Sequence, residues 1–458
     1  MSRAMAGALA LCAAVAQGAD QDVLKHGARG DGSSLDTHAF QAAIDVVSDS
    51  GGGVVHVPPG KYLVAHVELK SNVTLRLGKG ATLLGSTDRR DYAGKSGAVL
   101  AASDAGHITV EGEGEINGQA TADYGERWGA PQKPEWRTGL IRIENCRDVT
   151  FRGVTLLYSD SWTLHLRRCE RVRIDCITIR DNYRRLNSDG IDPNSCKDVK
   201  ITNCRITTGD DAIVLKSTEP YPCEDIEVSD CVLESATAGL KIGTESKGAF
   251  RRIRFRNCRI VNTPVGVGFF VKDGALVQDV VAENIEMQLC PPTFHAVVPL
   301  YIDIEKRNPD SKIGAVRDVT FQDIRISGGA GLLMQGMPES LLENVALRNI
   351  TFDVKEPQDY AKRKKPIGGR RTAHDARDTK FAQEPTYAAM AHMKNLTIEG
   401  LRVRITDADF QRYPRSAIAL FGVEVARIRG VTRSPAGGEP PPVVQRDCRE
   451  IDLAPAAR

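Results

Sequence analysis

Residues 188–217 read SDGIDPNSCKDVKITNCRITTGDDAIVLKS. Val199, Ile201 and Ile206 alternate with polar residues there, the period of a short half-buried strand. Cys196 and Cys204 in the same stretch recur along the chain at a nearly fixed interval. Cys176, Cys204, Cys231 and Cys258 follow one another at 28, 27 and 27 residues, and Cys146, Cys169, Cys196 and Cys223 at 23, 27 and 27. Each member of the first set follows a short polar residue (Asp175, Asn203, Asp230, Asn257), and Asn284 and Asn349 hold equivalent places further on. The segments CRDVTF, CERVRI, CKDVKI, CEDIEV, VRDVTFQDI and LENVALRNI keep the same step. A period of this length marks stacked supersecondary units. No long helical pattern separates the strands, which excludes a helical solenoid. The expected fold is therefore all-β, a right-handed parallel β-helix. Equivalent residues then stack ~4.8 Å apart along the axis. Stacked cysteines pack as small buried hydrophobes, and stacked Asn and Asp bond at the bends. Disulfides between rung neighbours are geometrically allowed.

A solenoid needs its open ends covered. LDTHAFQAAIDVVSDSGGG places Phe40, Ile44 and Val47 on one helical face, with Asp36 or Thr37 as N-cap and Gly51 as stop, so a capping helix is expected before the first coil. Residues 1–18 combine Arg3, a small apolar run and a small-x-small site, the pattern of a signal peptide cleaved after Gly18 or Ala19. Export to a periplasm or outside the cell follows from that reading. No other run approaches 18 apolar residues, so no membrane span is expected. The remainder, residues 19–458, reads as one domain. Residues 355–389 break the period with nine Lys or Arg against five Asp or Glu, and are expected to form a long loop insertion. Lys+Arg 61 against Asp+Glu 59 is too balanced for a nucleic-acid partner. The absence of any CxxC pair argues against a zinc or redox site.

Asp189 stands 21 and 22 residues before Asp210 and Asp211, close to one coil, which puts three carboxylates on neighbouring rungs of one face. Gly209 suggests a bend that lets both members of the pair point outward. Crowded carboxylates repel, so at least one should hold its proton. A protonated acid beside ionised ones suits glycosidic cleavage. A calcium cage and ordinary turn chemistry are the other readings of the same residues.

Asn187-Ser188-Asp189, Gly209-Asp210-Asp211 and Leu215-Lys216-Ser217 resemble the motifs of the polygalacturonase family, the family 28 glycoside hydrolases. GARGDGSSLDTHAFQAAI, GGGVVHVPPGKYLV, LKSNVTLRLGKGATLLGS and INGQ also resemble bacterial members, and the likeness spans residues 28–404. It implies a right-handed β-helix and an inverting hydrolase of pectin-type acidic polysaccharide, with neither metal nor cofactor. By the same resemblance Asp210 is the general acid, and Asp189 and Asp211 hold the water. Two places depart from the family pattern. Ala238 stands where a histidine is usual, and Phe270-Val271-Lys272 replaces Arg-Ile-Lys. Rhamnogalacturonan-cleaving relatives also lack the histidine, so that polymer is the alternative substrate. Substrate contacts are expected from Asn187, Arg185, Lys216, Lys241, Glu245 and Lys272, since cations at outward positions can read uronate carboxylates. A calcium-dependent β-helix lyase and a non-catalytic β-helix adhesin or sugar-binding module are the rival classes. A monomer acting on a plant-cell-wall-type polysaccharide, with no nucleic-acid or membrane partner, is the expected state.

Overall fold

The computed structural model describes residues 19–92, 97–125, 129–130, 136–290, 297–329, 331–355, 357 and 384–454. The expected signal peptide and most of the expected 355–389 insertion lie outside these residues; Tyr387 to the end of that stretch is buried, and Ala388–Arg404 is a strand.

The chain winds as a right-handed parallel β-helix. One ladder shows how sequence becomes coil. Val149, Val172, Val199, Ile226, Ile253, Val280, Val319, Val345 and Leu396 pair in register from rung to rung, and all are almost fully buried. Branched side chains on a pleated strand fill the interior, and their polar alternates face water.

Each central coil has three short strands. A first face holds Arg147–Arg152, Glu170–Asp175, Lys197–Thr202 and Cys223–Ser229. A second holds Thr155–Leu157, Thr178–Arg180, Arg205–Thr208 and Val232–Ser235. A third holds Leu164–Arg167, Ile191–Asn194, Ile213–Ser217, Ala238–Ser246, Val265–Val271 and Val298–Ile304. The corner between first and second faces is short and uniform, with two residues in each of these coils. The corner from second to third face is not: it takes two residues (236–237) in one coil and thirty-three (355–387) in another.

The uniform corner between first and second faces turns on a left-handed residue. Asn203, Asp230, Asn257 and Asn284 have φ of 57°, 57°, 52° and 52° there, a region that short polar side chains tolerate best after glycine. Their amides bond along the stack: Asn203 Nδ2 donates to Asp175 Oδ1 at 2.8 Å and Asn284 Nδ2 to Asn257 Oδ1 at 2.8 Å.

The cysteine ladders are real but for one member. Cys204, Cys231 and Cys258 are buried rung neighbours, as are Cys146, Cys169, Cys196 and Cys223, and all are free thiols. Cys176 is exposed. Thr178 pairs with Arg205, so Cys176 aligns with Asn203 and occupies the left-handed corner with φ 55°, while Ile177 takes the buried place. The 28-residue first interval marks that one-residue offset.

The capping helix spans Thr37–Asp49 and buries Phe40, Ile44 and Val47. Gln41 closes the exposed strand edge, donating to Glu68 O at 3.1 Å and accepting from Glu68 N at 3.0 Å. Asp36 holds the cap position but makes no cap bond with the helix. Its carboxylate accepts instead from Arg29 N and Gly30 N, at 2.7 and 3.1 Å.

Candidate active site

The third face carries the acids. Gly209-Asp210-Asp211 lies between the strands Arg205–Thr208 and Ile213–Ser217, at the variable corner. A Cβ on Gly209 would fall 2.2 Å from Arg185 O and 2.5 Å from Asn182 O, so only glycine lets the chain bend so tightly here. Asp210 is half-buried at the surface, whereas Asp189 and Asp211 are each 2% exposed. The bend therefore turns one acid of the pair outward and leaves the other buried beneath the surface.

Contacts from three coils hold these carboxylates. Asn187, on the exposed rim with φ 60°, donates its backbone N–H to Asp210 Oδ2 at 2.9 Å. Thr237 Oγ1 lies 3.0 Å from Asp210 Oδ1 and 2.6 Å from Asp211 Oδ1. Lys241 Nζ donates to Asp211 Oδ2 at 2.6 Å. Lys216 Nζ sits 3.1 Å from Asp189 Oδ2, 3.5 Å from Asp192 Oδ1 and 3.4 Å from Glu245 Oε2. Positive charge beneath the groove is thus supplied by the chain's own ammonium groups.

Burial sets the electrostatics. It pushes the Asp189 carboxyl up to about 7 against the pull of Lys216, with Asp210 and Asp211 adding to the rise. Burial also raises Asp181 to about 7; Thr163 Oγ1 and Ser159 N bond it at 2.6 and 2.7 Å. Burial would raise Glu245 too, but Lys216, Lys241 and Arg307 outweigh it and hold Glu245 down at about 2. Lys241 rises despite burial, because Asp211 faces it.

The remaining expected residues divide. Glu245 and Lys241 share the strand Ala238–Ser246 and join the cluster. Lys272 follows Val265–Val271 and is ion-paired with Glu305. Arg185 is 8% exposed: it bonds Asp160 and Ala122 O and lies over the Tyr124 ring, so it braces the corner from beneath. Its placement corrects the expectation of a groove contact. Arg137, also on Tyr124 and Asp160, reaches the rim instead and donates to Asn187 Oδ1 at 3.1 Å.

Four contributors escaped the sequence reading. Asp192 is fully buried beside Lys216. Thr237 bridges the acid pair. Arg307 arrives from a later coil, gripping Asp273 through Nε and Nη2 at 2.8 Å each and Glu245 at 3.3 Å. Trp162 is half-buried, with Lys216 Nζ 4.6 Å from its ring centre and His165 packed edge-on. The second Asp of Asp189-Gly190-Ile191-Asp192 was a readable signal; the others depend on pairing between distant coils.

A sequence model of the glycosyl hydrolases family 28 matches residues 49–363, well over half of the 458-residue chain. The chain belongs to that family. As a family 28 member it is a glycoside hydrolase. It is 25% identical over 359 residues to a probable polygalacturonase of Vitis vinifera, covering 71% of this chain and 72% of the relative. It is 23% identical over 347 residues to an endo-polygalacturonase of Pectobacterium carotovorum subsp. carotovorum, covering 69% and 84%. The fold is shared with the family 28 exopolygalacturonase of Yersinia enterocolitica, with a TM-score of 0.66, 15% identity, and coverage of 94% of this hydrolase and 78% of that chain. Within this family 28 hydrolase, Ala238 fills the usual histidine's place and is buried, its carbonyl accepting from Ala212 N at 2.8 Å. No group of three or more His, Cys, Asp or Glu among the described residues is arranged to hold a metal ion.

Proposed function

We propose that the chain is an exported, inverting hydrolase of glycosidic bonds in a pectin-type acidic polysaccharide, with Asp210 as general acid and Asp189 and Asp211 holding the attacking water. The hydroxyl of Thr237 carries this reading. It touches a carboxylate oxygen of each neighbour, at 3.0 Å on Asp210 and 2.6 Å on Asp211. A hydroxyl has one hydrogen to give. Spent on the shorter contact, it leaves the Asp210 contact to be closed by a proton on Asp210. Asp210, the outermost of the three, is then a carboxylic acid facing the groove. Asp211 is the neighbour paired with Lys241. One acid ready to protonate a leaving oxygen and one carboxylate ready for water are the two parts that inversion needs.

Proton transfer to the leaving oxygen makes Asp210 a carboxylate, and the water's proton passes to the Asp189/Asp211 side, so the two steps balance within one turnover. Lys216 and Lys241 balance the negative charge that the buried Asp189/Asp211 side carries before the water's proton arrives. Substrate carboxylates meet Lys272 and Arg307, whose present partners Glu305, Asp273 and Glu245 must share them. Export is proposed from the apolar start of the chain. The test is product analysis on homogalacturonan, rhamnogalacturonan and oligogalacturonides. Saturated galacturonide products whose new reducing end has inverted configuration support the proposal. Unsaturated products, retained configuration, or no cleavage of any acidic polymer would refute it.

A further inference from the structure

Asp189 and Asp192 lie three residues apart, one just before the strand Ile191–Asn194 and one within it. They are 2% and 0% exposed. Asp189 Oδ1 and both carboxyl oxygens of Asp192 are buried and accept no hydrogen bond from any donor among the described residues. The cations around them are already engaged. Lys216 is shared between Asp189 and Glu245 as well as Asp192, at 3.1, 3.4 and 3.5 Å. Lys241 holds Asp211, and Arg167 holds Glu144 and Glu219. His165 is the rung neighbour of Asp192, but burial pushes it down to about 3 and it carries no charge. Asp181 lies on the side of Thr163, Asp210 is turned outward, and Asp211 is buried against Thr237 and Lys241. Among the described residues, only Lys216, shared with two other carboxylates, answers Asp192.

A buried carboxylate in that position takes up a proton rather than remain ionised. We propose that Asp189 and Asp192 share a single proton, carried on Asp192 and donated to Asp189 Oδ1, which makes Asp192 the positioning residue of the water-holding carboxylate. One hydrogen then answers orphaned oxygens on both residues. It leaves Asp189 with one negative charge, fixed from below by Asp192 and from the side by Lys216. The direction in which burial moves both carboxyls, upward, agrees with this. The proton stays on the pair through turnover and no substrate bond is made through it. The inference rests on Asp189 acting on the water, and its test separates the two.

Asp192→Asn supplies an amide donor in the same place; Asp192→Ala supplies none. Asp192→Asn should keep kcat within about threefold of wild type at pH 5, and Asp192→Ala should lower it about 10- to 100-fold, the usual worth of a hydrogen bond to a charged group. The infrared carbonyl stretch of a protonated carboxylic acid, recorded at pH 6, should weaken in Asp192→Asn relative to wild type. An unchanged infrared band, or Asp192→Asn as slow as Asp192→Ala, overturns the shared proton. If Asp192→Ala fails to fold, the infrared comparison on Asp192→Asn alone decides. Weakening of the band together with an active Asp189→Asn variant would keep the shared proton and remove Asp189 from the chemistry.

Discussion

On the face built from Glu170–Asp175, Lys197–Thr202 and Cys223–Ser229, cations and acids answer one another from rung to rung. Arg173 meets Asp198 at 2.9 Å and Lys200 meets Glu227 at 4.0 Å, with the side chains 35–52% exposed. On the groove face, Lys216 meets Asp189 at 3.1 Å and Lys241 meets Asp211 at 2.6 Å, with side chains 3–14% exposed. The residue types and the rung spacing are alike. Water and salt screen the first set, so its pairs contribute little. The second set is desolvated, so protons redistribute among its acids and removing any partner is costly. Burial of paired charge, and not its presence on a coil, separates a solvated surface from an active site.

Four experiments sharpen or break that contrast. The largest effect is expected at Asp210. Asp210→Asn should remove turnover by ~10²–10⁴-fold or more with folding intact, measured as reducing-end release; activity above about a tenth of wild type would deny it the acid role. Lys216→Met should cost about 3–5 kcal/mol in urea unfolding, because it strands Asp189, Asp192 and Glu245 together. Lys200→Met on the other face should cost no more than about 0.5 kcal/mol. Equal costs would mean the groove cluster is as solvated as the outer face. Lys272→Met should lose ~10–150-fold in kcat/KM on an acidic polymer, and far less once the carboxyls are esterified. Equal losses on both polymers would remove the carboxylate contact.

The last experiment uses pH. Asp181 rises to about 7, and so does Asp189 as one member of the pair that holds a single proton with Asp192, above the ordinary carboxylate range. A raised acid stabilises the fold fully below its unfolded value and loses that contribution as pH rises through its folded value. Stability should therefore decline between about pH 5 and 7, and more so than in Asp189→Asn. Glu245, held at about 2, acts below that window, losing its contribution only as pH falls from its unfolded value. A stability that climbs from pH 5 to 7 would show that the groove acids are ionised.

The fold was legible because the coil repeats its own spacing: Val199, Ile201 and the Asn203 corner announce strand, core and bend within a few residues. The offset at Cys176 shows the limit, since a one-residue shift places a thiol at the exposed corner while Ile177 takes the core. At the site, Asp189, Asp210 and Asp211 stand out by local motif. Arg307 does not, because its partners Glu245 and Asp273 lie 62 and 34 residues away. Arg185 misled for the converse reason. It neighbours the motif in sequence, yet Asp160 and Tyr124 draw its side chain beneath the corner.

The unequal corners carry a consequence for how such a molecule diversifies. Stacked amides and left-handed residues tie the corner between first and second faces to a fixed length, so an insertion there would throw every later rung out of step. The corner from second to third face already spans two residues in one coil and thirty-three in another, and it borders the groove. New segments grafted at that edge can reshape the groove's rim, and with it the choice of polymer, while the coil beneath keeps its register. Scaffold and specificity are in this sense separately heritable.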